Sequence, residues 1–206
     1  RITARLEFGT GFLGEILPEF LGQYPDVDVE VDLSNRLVDL VDEGYDLAIR
    51  AGPLADSTLI ARKLVDFPKL RLFASPAYLL RHGAPVIPAD LKRHSCIVFG
   101  VGRGGATWSL SGPTGEERVS IEPRLRANSF SLTRDVTLAG LGIALMPAAF
   151  ARDISDGRLQ PVLEAWATAS SGLYAVYPSG RYLTAKVRAF LDFLGDRLDP
   201  TPWSGG

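Results

Sequence analysis

Between Tyr24 and Gly52 the spacing of apolar residues changes character. Val27, Val29, Val31 and Leu33 alternate with acids, which is the period of a strand with one face buried, and Leu37, Val38, Leu40 and Val41 then follow the period of a helix. The spacing predicts a strand over 27–33, a helix opened by Ser34 as N-cap and closed by Gly44 as a left-handed C-cap, and a second short strand over 46–50. Parallel strands need such a crossover, so the first unit of the fold is read as an α/β sheet.

A strand over 2–8 precedes this unit and leads through Gly9-Thr10-Gly11 into a helix whose apolar face is Phe12, Leu13, Ile16, Leu17, Phe20, Leu21 and Tyr24. Further strands are expected over 59–67 and 70–75, short helices over 77–81 and 89–93, and strands over 95–99, 107–110 and 118–121 joined by Gly-rich turns. A second β-α-β unit follows: a strand over 124–127, a helix over 131–139 and a strand over 142–146. A strand over 173–177 returns to the first lobe, and a last helix over 184–198 places Val187, Phe190, Leu191, Leu194 and Leu198 on one face. The tail from Pro200 to Gly206, rich in Pro, Ser and Gly, reads as frayed. The pattern predicts two Rossmann-like lobes, 1–72 with 172–206 against 73–171, joined by two crossings. Open sheets bind ligands at the carboxyl ends of their strands, so function is sought in a cleft at the hinge.

Composition narrows the choice. The chain of 206 residues is 46% apolar and 22% charged, ordinary for a globular protein with a real core. Its 22 Lys and Arg are matched by 24 acids, for a net charge of -2, so no basic face for phosphates is expected and the segment should not bind DNA by itself. The single cysteine, Cys96, excludes an internal disulfide, suits a reducing compartment and reads as a small apolar strand residue. No apolar run approaches the roughly 20 residues of a membrane span, and no signal-peptide pattern opens the chain. A cytoplasmic protein with no membrane partner is the expectation.

Several motifs carry candidate chemistry. Gly9-Thr10-Gly11-Phe12-Leu13-Gly14 matches G-x-G-x-x-G after a strand, with Asp32 where a ribose-binding acid belongs, as in a nicotinamide-dependent oxidoreductase. Against it stands Pro18, which has no amide hydrogen and would clash with the carbonyl of Gly14 in a helix starting at the second glycine. His82 and His94 are the only histidines and lack the spacing or cysteines of a zinc site. There is no G-x-S-x-G elbow, and Gly102, Gly104 and Gly105 around Arg103 lack the G-K-[ST] of a phosphate loop. No enzyme, resident cofactor or metal is expected.

The unit over 24–52 also resembles the effector-binding domain of LysR-type transcriptional regulators, with its Pro-Asp strand, its Val-Asp-Leu-Val-Glu-Gly type of helix and its Asp-Leu-Ala-Ile-Arg. The resemblance continues through Ala74-Ser75-Pro76-Ala77-Tyr78-Leu79, Pro88-Ala89-Asp90-Leu91 and His94-Ser95-Cys96-Ile97. It extends through Ala139-Gly140-Leu141-Gly142-Ile143-Ala144-Leu145-Met146-Pro147 and Leu173-Tyr174-Ala175-Val176-Tyr177-Pro178 to Lys186-Val187-Arg188-Ala189-Phe190. It implies an α/β fold of the type 2 periplasmic-binding-protein kind and a sensor of a small metabolite rather than an enzyme. It implies that promoter DNA is read by an N-terminal winged helix-turn-helix not contained in this chain. It implies assembly as an antiparallel homodimer, and as a tetramer of the full-length protein. In the dimer the helix from Phe12 and the strand over 27–33 face the helix over 132–139 of the other copy.

The resemblance places effector contacts in loops after strands. These are Phe8, Gly9 and Thr10, then Ser34, then Arg50 with Ala51; in the second lobe they are Gly100 with Val101, and Asn128, Ser129 and Phe130. Hydroxyls and amides at helix starts suit a carboxylate, and Phe8 or Phe130 an apolar body. Thr10, Ser34 and Ser129 fit plain helix capping as well, Arg50 fits pairing with Asp46 or Asp39, and Glu7 beside Thr10 leaves the sign of the effector's charge open. A solute-binding transport protein shares the hinge logic and is the remaining alternative to the oxidoreductase.

Overall fold

The structure, a computed structural model of the chain, describes residues 1–36, 38–52, 58–148, 152–178 and 184–198. Two compact units account for it: Arg1–Phe67 with the segment from Ser171 onward, and Pro68–Ser170.

The first unit is built on a five-stranded sheet, β1 (Ile2–Ala4), β2 (Val31–Leu33), β3 (Leu47–Ala51), β4 (Leu59–Phe67) and β12 (Ser171–Pro178), in the order β2-β1-β3-β12-β4. β1 runs parallel to both β2 and β3, while β12 is antiparallel to β3 and β4. Helical segments α1 (Leu6–Phe8), a π-helical turn (Gly9–Leu13), α2 (Gly14–Gln23) and α5 (Ala185–Arg197) belong to the same unit. Alternation along the strands sends Ile2, Ala4, Leu47, Ile49, Leu173 and Ala175 into one core with Phe8, Ile16, Phe20, Phe190 and Leu194 of the helices. There Phe20 meets Phe190 and Phe193 edge to face at 5.0 and 5.2 Å, an arrangement aromatic quadrupoles favour. Ala48 and Val176 pack instead with Leu40 and Tyr45.

The second unit has the sheet β11-β5-β10-β6-β9, formed by β5 (Leu70–Ala74), β6 (Cys96–Phe99), β9 (Pro123–Ala127), β10 (Ile143–Pro147) and β11 (Gln160–Val162), and a separate hairpin of β7 (Ala106–Gly112) and β8 (Gly115–Ile121). Both faces of this sheet are covered, which is why its strands read as continuous apolar runs. Leu72, Cys96, Val98, Ile143 and Leu145 pack with Tyr78, Leu91 and the hairpin's Trp108 and Leu110, while Phe73, Ile97, Ala144 and Met146 pack with Phe130. Tyr78 comes from α3 (Pro76–His82), Leu91 from a 3-10 helix (Pro88–Arg93) and Phe130 from α4 (Phe130–Leu138). Asp153, 2% exposed in a 3-10 turn (Arg152–Ile154), is held by Arg134 of α4 at 2.6 Å and by Arg158.

Three expectations need correction. The first strand ends at Ala4, because Phe8 belongs to the helical stripe with Phe12 and Leu13 and the chain turns helical at Leu6. The strand expected over 27–33 is a regular strand only at Val31–Leu33, with the Glu30 carbonyl accepting the Ile2 amide just before it. The crossover helix opened by Ser34 is replaced by a turn: the Asp39 carboxylate accepts the amides of Val41 and Asp42, competing with helix propagation, and Gly44 closes the turn at φ 71°. Leu37 and the tail from Pro200 lie outside the described residues. The lobe boundary expected at 72 falls inside β5, and β11 had no counterpart in the sequence reading.

Candidate functional site

In the first unit, β1, β2 and β3 run parallel, so their carboxyl ends lie along one edge of the sheet. Arg5 follows β1, Ser34 follows β2, and Arg50 and Ala51 end β3. Arg50 is 9% exposed. Its guanidinium donates to the Thr3 hydroxyl at 3.0 Å and to the carbonyls of Ser34 and Arg36, each at 3.3 Å. All of these acceptors are neutral. The expected partners are engaged elsewhere, Asp39 with its turn amides and Asp46 with Lys186 at 3.7 Å, and among the described residues no carboxylate forms an ion pair with Arg50. Burial first, and then the nearby charge of Arg5, hold the Arg50 guanidinium below its ordinary pKa; burial does the same to Arg5, opposed by Glu7. Asp32, the nearest acid to Arg50 by its effect, accepts from the Tyr45 hydroxyl at 2.7 Å.

The remaining first-unit candidates are placed differently. Phe8 lies in the core at 6% exposure, its ring 5.1 Å from that of Phe12. Gly9 and Thr10 sit in the π-helical turn: the Gly9 amide donates to Arg5 and the exposed Thr10 hydroxyl to Leu6, so neither caps a helix. Gly9, Gly11 and Gly14 therefore do not form the strand-turn-helix cradle of a dinucleotide motif, because helical bonding already runs through them. The Ser34 hydroxyl accepts the Arg36 amide at 3.2 Å, a local turn bond.

In the second unit, β6 and β9 are parallel and their carboxyl ends carry Gly100 with Val101 and Asn128 with Ser129. The Gly100 amide donates to Ala127 at 2.8 Å, and its φ of 132° is a conformation that favours glycine. Val101 is 78% exposed. Ser129 caps α4, its hydroxyl accepting the Leu132 amide at 3.3 Å, so the capping reading holds for this residue. Phe130 stacks face to face on Phe99, centroids 3.9 Å apart. The structure thus gathers Ser34 and Arg50 in one unit, and Gly100, Ser129 and Phe130 at neighbouring strand ends in the other.

Sequence reasoning overlooked Arg5 and the buried Thr3, and considered the buried Glu7 only as a neighbour of Thr10. A charged residue on each side of a strand-to-helix junction, Arg5-Leu6-Glu7, was the available signal. At the opposite, amino edge of the first sheet a depression of about 30 Å³ lined by Phe20, Val27, Val29 and Phe190 has room for little more than water.

The architecture, two α/β units each with parallel strand ends carrying loops, defines a substrate-binding fold of the type 2 periplasmic-binding-protein kind. Residues 1–199 match the LysR substrate binding domain, and the chain belongs to that family. PtxR of Pseudomonas aeruginosa, named an HTH-type transcriptional regulator, is 35% identical, the match covering 98% of this chain and 65% of PtxR. An HTH-type transcriptional regulator of Xanthomonas campestris pv. campestris is 33% identical, covering 97% of this chain and 59% of the relative. The chain therefore spans about three fifths of the length of these relatives. The regulatory domain of CrgA from Neisseria meningitidis, a LysR-type transcriptional regulator, superposes with a TM-score of 0.80 at 31% identity over 96% of this chain and 97% of that one. The relatives are regulators, not enzymes, which sets aside the oxidoreductase alternative. Among the described residues no helix is long and apolar enough to cross a membrane.

Proposed function

We propose that the chain is the effector-binding regulatory domain of a LysR-type transcription regulator, acting in the cytoplasm, and that its effector is a small metabolite carrying a carboxylate. The observation that carries this reading is Arg50, a buried cation at the carboxyl edge of three parallel strands with neutral acceptors only. A carboxylate arriving there gains charge-assisted hydrogen bonds and relieves the repulsion between Arg50 and Arg5. Thr10, Ser34 and Ala51 are proposed to contact it from the first unit, and Gly100, Asn128 and Ser129 from the second. A ligand shifts the domain between states only by its differential affinity for the state it favours. The greater length of relatives named as HTH-type regulators supports the reading that promoter DNA is read by a further domain, and we propose that the regulatory domains pair head to tail.

The test is a thermal-shift series with small carboxylates, aromatic acids, amino acids and sugars, together with NAD and NADPH. At a hundred times its Kd a true effector adds about 2.7 kcal/mol of stability, a shift of several degrees. We expect a carboxylate to give it and the Thr10→Ala/Ser34→Ala double variant to lose it. A shift produced only by dinucleotides, or only by neutral sugars, overturns the reading.

A further inference from the structure

A second polar cavity, of about 370 Å³, lies wholly within the Pro68–Ser170 unit. His82, Ala84, Val86, Asp90, Arg93 and His94 line it, so both histidines of the chain face one space. Its walls are set by local sequence. Gly83, at φ 76°, ends α3 and turns the chain away, and Pro88 opens the 3-10 helix that carries Asp90 and Arg93. Asp90 accepts the amides of Val86 and Ile87 at 2.9 and 3.1 Å and a guanidinium hydrogen of Arg93 at 2.5 Å. Those amides and Arg93 hold its carboxyl down at about 2, so it stays an anion that accepts three hydrogen bonds from its own loop and helix.

The histidines are held by Tyr78, itself 1% exposed. Its ring stacks on His82, centroids 4.6 Å apart, and its hydroxyl accepts the Ser95 amide at 3.0 Å. That leaves the single hydroxyl proton to be donated to Nδ1 of His94, 3.1 Å away. Nδ1 is then an acceptor and Nε2 of neutral His94 carries the hydrogen, a tautomer fixed by the bond on the other side of the ring. The donors offered to the cavity are Nε2–H of His94, a ring N–H of His82 and the hydrogens of Arg93 not given to Asp90. Beside them Val86 is 81% exposed, with Leu80 at 89% and Ile87 at 54% next in the chain.

We propose that this cavity is a second small-molecule site, separate from the effector loops, which takes an oxyanion, a carboxylate or a phosphate, on His82, Arg93 and His94. The donors of His82, Arg93 and His94 select an acceptor, with Asp90 held in its own hydrogen bonds beside them, and among the described residues no cluster suits a metal ion. The apolar Ala84 and Val86 fit the short hydrocarbon body of an organic acid. Binding is coupled to protons. The titratable and charged groups facing His94 are His82 from α3 and Asp90 and Arg93 from the 3-10 helix, with the Cys96 thiol beyond its carbonyl. Burial first, then His82, disfavour the charged imidazole, and an anion opposes that, so affinity rises as pH falls through the histidine range.

With two histidines in the chain, their ring Cε1–H resonances report the site directly by NMR. Sodium phosphate and sodium butyrate are titrated against sodium chloride at matched ionic strength, at pH 6 and pH 8. We expect both resonances to shift saturably at pH 6 and much less at pH 8, and Arg93→Ala or His82→Ala to weaken the anion about fivefold or more. In each variant the unliganded spectrum of the remaining histidines reports an intact fold. Tighter butyrate identifies an organic acid and tighter phosphate a phosphoryl group, and either supports the site. Shifts that stay linear and equal those from chloride overturn it. So does their loss in the Thr10→Ala/Ser34→Ala variant, which would trace them to the effector loops; that variant leaves this cavity untouched if the two sites are distinct.

Discussion

Cys96 shows how burial alone sets the chemistry of a residue. It has no exposed surface, its sulfur lies 3.6 Å from the carbonyls of Leu91 and His94, and burial pushes the thiol up to about 12. An unfolded cysteine ionises near 8.5, so above that pH the unfolded chain releases a proton that the folded chain keeps, and stability falls as pH rises toward 12. Each pH unit in that window costs about 1.4 kcal/mol. Urea unfolding of wild type and Cys96→Ala at pH 7 and pH 10 isolates this effect. The wild type is expected to lose about 2 kcal/mol more than the variant between the two, and parallel losses would refute a thiol kept protonated by burial. The small apolar strand residue expected from the sequence lies in β6, since a run such as Cys96-Ile97-Val98 declares a doubly covered strand. Arg50 was less legible. Alternation shows which side of β3 it occupies, but its acceptors come from Thr3 and the 34–36 loop, and only the folded sheet brings those together.

Among the elements, the glycine motif separates what a pattern says from what packing does with it. Gly9 and Gly14 are the first and last glycines of G-x-G-x-x-G, and both have ordinary helical φ, of -62° and -60°. A Cβ on Gly9 would meet Leu33 Cδ2 at 2.0 Å, whereas one on Gly14 would meet nothing within 4 Å. Gly9 is thus small because the end of β2 packs on it, a reason unrelated to phosphates. Gly9→Ala is expected to destabilise by about 1–3 kcal/mol through overpacking. Gly14→Ala should stabilise by up to about 1 kcal/mol by restricting the unfolded chain. Thermal unfolding of the two variants checks this, and equal shifts of the same sign would show that the Leu33 contact does not hold. The same contrast explains the errors in reading the elements. Periods 2 and 3.6 coincide at Phe8, so the first strand was read too long, and the apolar spacing after Ser34 resembles a helix although Asp39 takes the amides that a helix would need. Strands with a doubly covered face, such as β10, and helices with one long stripe, such as α5, left no such ambiguity.

For the whole molecule, the proposed regulator depends on contacts between copies, and these follow from surfaces each unit leaves open. β2 is an edge strand of the first sheet, with Val27 and Val29 just before it half-buried, and Leu21 of α2 is 37% exposed. In the second unit Leu132 of α4 is 49% exposed, while Thr133 and Thr137 of the same helix are buried. In the proposed head-to-tail pairing, α2 and β2 of one copy meet α4 of the other, which would cover both patches. Two-fold symmetry makes that contact twice, so one substitution is counted twice in the dimer. A charge placed in an apolar contact at a cost of about 1–2 kcal/mol per site then weakens association by roughly 30- to 1000-fold. Leu132→Glu, exposed in the single chain, should leave the circular dichroism spectrum and unfolding temperature of the monomer unchanged. By light scattering coupled to gel filtration at micromolar concentration, the wild type is expected at the dimer mass and Leu132→Glu at the monomer mass. A variant that keeps the dimer mass would move the interface away from α4 and with it the route by which a ligand-dependent change in one copy reaches the next.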